Sequence, residues 1–326
     1  MEIVIRNANQ MFSEMFWRFK VSGIEVSTRN GPALRIGEPV LTIVSQPRER
    51  VLFHPGRDAN PVFHLMESIY MLAGREDVQF PALFNSRISQ YSDDGKIFNA
   101  AYGRRWRSYF GCDQLVDVIE LLKRDPESRQ AVVQMWSASD LVKSTKDKAC
   151  NTQLIFEILH GRLNMTVINR SNDAWFGYAG ANIVHMTFLQ EFVAQSLKVP
   201  LGVYRTFSTN LHLYKELYDS QRFLKSPPQI DHHDYYVDGQ VATTPLMLND
   251  NYRDFLTDCE RFCENPFLER EYSHPFFEHV AYPMAMISHF RKNKYGTGEG
   301  WAAKVQAEDW RRAAFEWIQR RESAKR

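Results

Sequence analysis

The chain has 326 residues, with 40 Lys and Arg against 39 Asp and Glu and a formal net charge of +1. Hydrophobic residues make up 44% and charged residues 24%, which excludes a disordered, collagen-like or disulfide-built protein and fits a globular chain with a sizeable core. Near-neutrality gives no whole-protein attraction to DNA or to an anionic membrane, so neither is expected as a direct partner, while a local anion pocket stays open.

The first 50 or so residues read as short strands, EIVIR, GIEVST and PVLTIV, with turn signals at RNGP and RIGEP. Residues 61–73 space their apolar side chains as a helix does and stop at Gly74. A polar, turn-rich stretch runs to about Arg107. Residues 114–123 predict an amphipathic helix and residues 131–136 a strand. Residues 153–171 predict two strands joined at His160-Gly161. Residues 182–197 predict a strongly apolar helix central to the core, and residues 203–214 a strand running into a polar segment. Residues 220–300 are rich in Pro, His, Asp and aromatics and show few periodic elements. The terminal helix sets Trp310, Ala314, Trp317 and Ile318 on one face, a packing pattern.

Four cysteines, at 112, 150, 259 and 263, are too few for a disulfide framework. Cys259 and Cys263 share a helix face with no second Cys/His pair nearby, so they read as structural and no metal is expected. The N-terminus lacks a basic region followed by a long apolar stretch. No window approaches the ~18 apolar residues of a membrane span. A reducing cytoplasm is the expected setting.

Some residues sit badly in a purely structural reading. Cys150, in KDKACNTQ, follows a polar loop rather than lying inside an apolar run. Lys146, Lys148 and distant arginines are candidates to lower its pKa and favour the reactive thiolate. Arg29, Arg129 and Arg170 with Ser171 suit a phosphate if they converge; each alone fits a surface ion pair. Glu67 is the one acid of helix 61–73, either a satisfied buried carboxyl or a proton-transfer group. Asn182 opens the helix after GYAGA, and a plain N-cap is the alternative there.

In order and near-matching spacing, these residues resemble the thymidylate synthase family. The match runs from about Arg29 to Tyr214, more than half the chain. ESRQAVVQMW, ACNTQ, INRSND, GANI and NLHLY resemble the family's S-R-R, P-C-H, Q-R-S-x-D, F-N-I and D-T-H-L-Y landmarks. MESIYMLAG resembles the helix that carries its catalytic glutamate, and AAYGRRWR its V-Y-G-x-Q-W-R box. The resemblance implies an α/β (α+β) fold, a large mixed sheet flanked by helices, in a homodimer packed through the sheets. It implies Cys150 as nucleophile toward C6 of a pyrimidine nucleotide, with Asn182 on the base edge. It implies Arg29, Arg170 and Ser171 as phosphate ligands, and Arg129 as an arginine that each subunit gives to the other's site. His212 and Tyr214 match the pair on the sugar hydroxyl, Glu67 the proton-relay acid, Tyr102 the tyrosine near the C5 proton, and Asp173 a contact to the folate pterin. The implied cofactor is 5,10-methylenetetrahydrofolate.

The chain departs from the methylating members. Ile88 and Tyr91 stand where tryptophans of a W-D-x-W box would fall, Asn151 replaces the His after the nucleophile, and Gln130 the second Arg of S-R-R. About 110 residues follow Tyr214 in place of a short closing tail. The missing tryptophans and the replaced tail favour water over hydride as the final reactant, hence a 5-hydroxymethyl product, while Asn151 and Gln130 bear on the water network and one phosphate contact. Asn182 suits uracil, which makes dUMP hydroxymethylation the expected activity. dCMP or CMP hydroxymethylation, thymidylate synthesis and a non-catalytic nucleotide-binding homologue are the alternatives. Residues 1–220 are expected to form the catalytic core and residues 221–326 an extension packed on it.

Overall fold

The computed structural model describes residues 1–220, 234–246 and 251–323. Among the described residues ten strands form two sheets: β1 (Glu2–Ile5), β2 (Gly23–Thr28), β3 (Gly31–Ile36), β4 (Val40–Val44), β5 (Val132–Gln134), β6 (Asn151–Leu159), β7 (Arg162–Asn169), β8 (Asn172–Asp173), β9 (Leu201–Ser208) and β10 (Leu211–Tyr214). The larger sheet has the order β1-β4-β9-β7-β6-β5. It is mixed, since β1 runs parallel to β4 and β7 to β9 while the other pairs are antiparallel. The smaller sheet has the order β2-β3-β10-β8.

The helices are α1 (Ala8–Ser22), α2 (Pro61–Leu72), α3 (Tyr102–Arg107), α4 (Gln114–Arg124), α5 (Asn182–Ser196), α6 (Tyr252–Glu264), α7 (Tyr282–Lys292) and α8 (Glu308–Ser323), with short helical turns elsewhere. α2 starts where Asn60 caps the Phe63 N–H and Pro61 takes the first turn, a position where its missing N–H costs nothing. α5 is apolar on nearly every side and buried almost throughout, as an internal helix must be. Two of its buried polar side chains reach partners: Gln190 Nε2 donates to the Leu163 and Val203 carbonyls at 2.9 and 3.1 Å, and Glu191 pairs with Arg48 and Arg50.

The β6–β7 hairpin turns at His160 and Gly161, both with positive φ (51° and 69°), as a two-residue hairpin turn requires. Two expectations are corrected. The N-terminal stretch read as strands contains α1, whose buried Ala8, Met11, Phe12, Met15, Phe16 and Phe19 follow helical spacing behind an Asn7 cap. The turn signals at RNGP and RIGEP fall at the two ends of a further strand, β3, which the sequence did not single out. Residues 220–300, which looked aperiodic, supply α6 and α7, while the terminal helix expected after them forms as α8.

α6, α7 and α8 pack against α2 and join one continuous hydrophobic core with the rest of the chain. Cys259 and Cys263 are buried on the packed face of α6. Trp310, Ala314, Trp317 and Ile318 are buried along α8. The Tyr236 hydroxyl donates to Asp309 Oδ2 at 2.9 Å, and Arg320 and Arg321 reach Asp58 at 2.9 and 2.6 Å. The division expected at 220/221 meets residues 221–233, which lie outside the described residues.

Candidate active site

Cys150 sits where the polar loop enters β6, half-buried. Its carbonyl accepts the Arg170 N–H at 3.0 Å, so the end of β7 lies alongside it. The Arg170 side chain folds back over the same loop. Nε donates to the Ala149 carbonyl at 2.8 Å, Nη2 to the Lys148 carbonyl at 3.2 Å, and Nη2 stands 3.9 Å from the Cys150 Sγ. The guanidinium also lies over the Trp136 ring, 5.2 Å from its centroid. Burial pushes the Cys150 thiol up. Arg170 opposes that most strongly, Asp147 and Asp173 add to it, and Arg29 opposes it less. The lysines named from sequence are not the cause: Lys146 and Lys148 turn their ammonium groups to the Ser92 and Leu141 carbonyls, each at 3.5 Å.

Tyr102 opens α3, and its hydroxyl accepts the N–H groups of Cys150 (3.2 Å) and Asn151 (3.4 Å). The helix is pinned by Arg105, buried and paired with Asp140 at 2.8 Å through Nη2. It also needs Gly103, where a Cβ would come within 2.2 Å of the Met71 carbonyl oxygen on α2. Asn151 turns away from the loop, its amide donating to Asn169 Oδ1.

The smaller sheet brings the other residues in. Asp173 lies in register with His212 across β8 and β10. The His212 and Tyr214 rings are 5.4 Å apart. Tyr214 Oη accepts from Asn30 Nδ2 at 3.1 Å, which sets the Arg29-Asn30 turn beside it. Arg29 Nη2 in turn donates to the Lys146 carbonyl at 3.3 Å, just ahead of Cys150. Ser171, half-buried, lies between Arg170 and Asn172. Asn182 Nδ2 reaches Asn172 Oδ1 at 3.5 Å, an approach that Gly177 permits, since a Cβ there would meet both side chains at 2.8 and 3.0 Å. The plain N-cap alternative is therefore set aside: Ala181 holds the cap position of α5 and Asn182 is its first residue.

Asp173 tests the fit to a folate. Its Oδ1 accepts the Phe176 N–H at 2.6 Å, whereas its buried Oδ2 has no partner. An orphaned carboxylate oxygen suits the paired N–H donors of a pterin ring. His212 Nδ1, also buried and unpartnered, suits a sugar hydroxyl.

Glu67 projects from α2 toward α5, where its Oε2 lies 3.2 Å from His185 Nε2. Burial pushes the Glu67 carboxyl up to about 8 and the His185 imidazole down to about 3. Arg129 does not join this group: it is exposed in the turn before β5, the edge strand of the larger sheet. Ile88 packs half-buried against the core, and Tyr91 is largely exposed.

Sequence reading missed His185, His64, Trp136 and Arg57. The signal was spacing. His185 stands three residues after Asn182 and His64 three before Glu67, so each shares a helix face with a residue already singled out. Arg57 is buried over the Trp175 ring, 5.4 Å from its centroid, and burial lowers its guanidinium to about 10.

A mixed sheet flanked by helices thus presents a cysteine between an arginine and a tyrosine, a set of residues suited to covalent chemistry. Residues 64–236 match the thymidylate synthase family, and the chain belongs to that family. A deoxyuridylate hydroxymethyltransferase of Pseudomonas phage M6 is 41% identical over 334 residues, spanning 99% of this chain and 95% of that one. One from Bacillus phage SP01 is 37% identical over 209 residues, spanning 60% of this chain and 55% of that one. Among solved structures, thymidylate synthase from T4 phage superposes with a TM-score of 0.55 at 19% identity, spanning 67% of this chain and 82% of that one. That last likeness is one of fold.

Proposed function

We propose that this protein transfers a one-carbon unit to C5 of dUMP and captures it with water, giving 5-hydroxymethyl-dUMP. The observation that carries the reading is the full-length similarity to the Pseudomonas phage M6 hydroxymethyltransferase, which continues through α6, α7 and α8. The absence of tryptophan at Ile88 and Tyr91 supports it, because no indole there excludes water from the intermediate.

In this reading Cys150 attacks C6 as the thiolate, drawn out of its thiol form by Arg170. Electron density moves to O4, where the Asn182 amide donates. 5,10-Methylenetetrahydrofolate would supply the one-carbon unit, and Asp173 would hold its ring. Tyr102, fixed by the Cys150 N–H, stands where the C5 proton leaves, and Glu67 serves as the acid of the relay. Bond formation from C5 to that carbon and loss of the C5 proton would be followed by release of tetrahydrofolate, leaving an exocyclic methylene; water adds there, and Cys150 departs as C5=C6 re-forms. Arg29, Arg170 and Ser171 bind the phosphate, with Arg129 reaching the site from the other subunit of a homodimer. His212 and Tyr214 hold the sugar.

Mass spectrometry of products from dUMP, dCMP and CMP tests this directly. The expected result is addition of CH2O to dUMP without dihydrofolate. Dihydrofolate formed in step with product would instead make the protein a methylase, and preference for a cytosine nucleotide would overturn the base assignment.

A further inference from the structure

Glu67 is the one acid on a buried helix face, yet among the described residues no hydrogen bond is recorded for its carboxyl. Its recorded polar neighbour is His185 Nε2, 3.2 Å from Oε2. His185 is itself 2% exposed, and neither ring nitrogen completes a hydrogen bond of standard geometry. The ring is nevertheless fixed. The His64 ring stands edge-on to it at 6.2 Å, and the His64 backbone favours its protonated nitrogen. In the tautomer with its proton on Nδ1, the neutral ring presents a lone pair at Nε2 toward Glu67. The Glu67 side chain is 15% exposed, and for its protonated carboxyl that lone pair is an acceptor within reach.

We propose that His185 is the positioning residue of Glu67: its Nε2 accepts the carboxyl proton and holds the acid between α2 and α5, ready to deliver it toward the nucleotide. Asn182 and His185 then work from one face of α5, the first on the base and the second on the acid. The inference rests on the role given to Glu67 above. Among the described residues, the titratable groups that bear on the ring are Glu67 and His64, both from α2, with Arg57 acting on His64 from the segment before it.

The test compares His185→Phe with His185→Gln, whose side-chain carbonyl can also accept. Infrared titration follows the protonated carboxyl band that Glu67→Gln removes, with no substrate present. In His185→Phe the midpoint is expected to fall by about one pH unit, because the acid form loses its acceptor. The alkaline limb of kcat/KM for dUMP should move down with it. Turnover should fall roughly tenfold to a hundredfold, with KM for dUMP within about twofold of wild type. His185→Gln should restore the midpoint. If His185→Phe does not fold, His185→Met carries the same comparison. A midpoint that stays put or rises, or a Gln variant that behaves as Phe does, overturns the proposal. Loss of the wild-type hydroxymethyl product instead overturns the functional reading and leaves the infrared result standing.

Discussion

The Tyr102 hydroxyl accepts the backbone N–H of Cys150 at 3.2 Å, across 48 residues of sequence. This bond ties the start of α3 to the loop that presents the thiol, so the tyrosine and the cysteine move as one unit. Tyr102→Phe leaves two N–H donors without their acceptor. It should cost about 1–3 kcal/mol of stability and roughly tenfold to a thousandfold in kcat. Denaturant melts and steady-state kinetics with dUMP measure both, and full activity in the variant would remove Tyr102 from the mechanism.

Gly103→Ala should act at a distance from the chemistry. The added Cβ would meet the Met71 carbonyl and push α3 off α2. A destabilisation of about 1–3 kcal/mol is expected for such overpacking. Activity should fall as well, since Tyr102 is the neighbouring residue, and thermal unfolding beside a kinetic assay reads the two effects separately.

Glu67 makes stability depend on pH with a definite sign. The native carboxyl keeps its proton up to about 8, whereas the ordinary value is 4.5. Between those values the unfolded chain releases a proton that the native state retains, so this group's contribution falls as pH rises. Glu67→Gln has no proton to lose. Its Tm relative to wild type should climb through that window and stay level below it, while product formation is lost. A constant Tm difference across the window would contradict the buried, protonated carboxyl.

Arg170 draws the Cys150 thiol toward its thiolate against burial. Arg170→Ala should slow alkylation of Cys150 by iodoacetamide and raise KM for dUMP, by roughly tenfold if one charge-assisted contact is lost. Cys259 and Cys263 are buried and serve as unreactive internal controls, so mass spectrometry of the labelled chain resolves the site. Unchanged labelling would show that Arg170 serves the phosphate alone.

Arg129 lies in the exposed turn before β5, apart from its own chain's site. If it completes the site of a second subunit, Arg129→Ala and Cys150→Ala proteins should each be nearly inactive. Mixed and refolded together, they should recover activity through hybrid dimers that hold one intact site. No recovery would return Arg129 to a surface role.

The candidate site was largely legible in the sequence, because the residue types that suit covalent and phosphate chemistry stand there in a recognisable order. Cys150, Asn182, Arg170 and the His212–Tyr214 pair could be named from motifs, and α2, α5 and the β6–β7 hairpin from apolar spacing and turn residues. α1 was equally visible in spacing, yet its flanking strand-like segments masked it.

What the sequence by itself determined was therefore the inventory: which side chains carry chemistry, and which segments have a face to bury. The tertiary structure decided what each group feels. It assigned the cationic neighbour of Cys150 to Arg170 rather than to the adjacent lysines, and it faced Glu67 with His185. The physical reason is that desolvation and hydrogen bonding depend on contacts between segments distant in sequence, and local spacing does not encode those contacts.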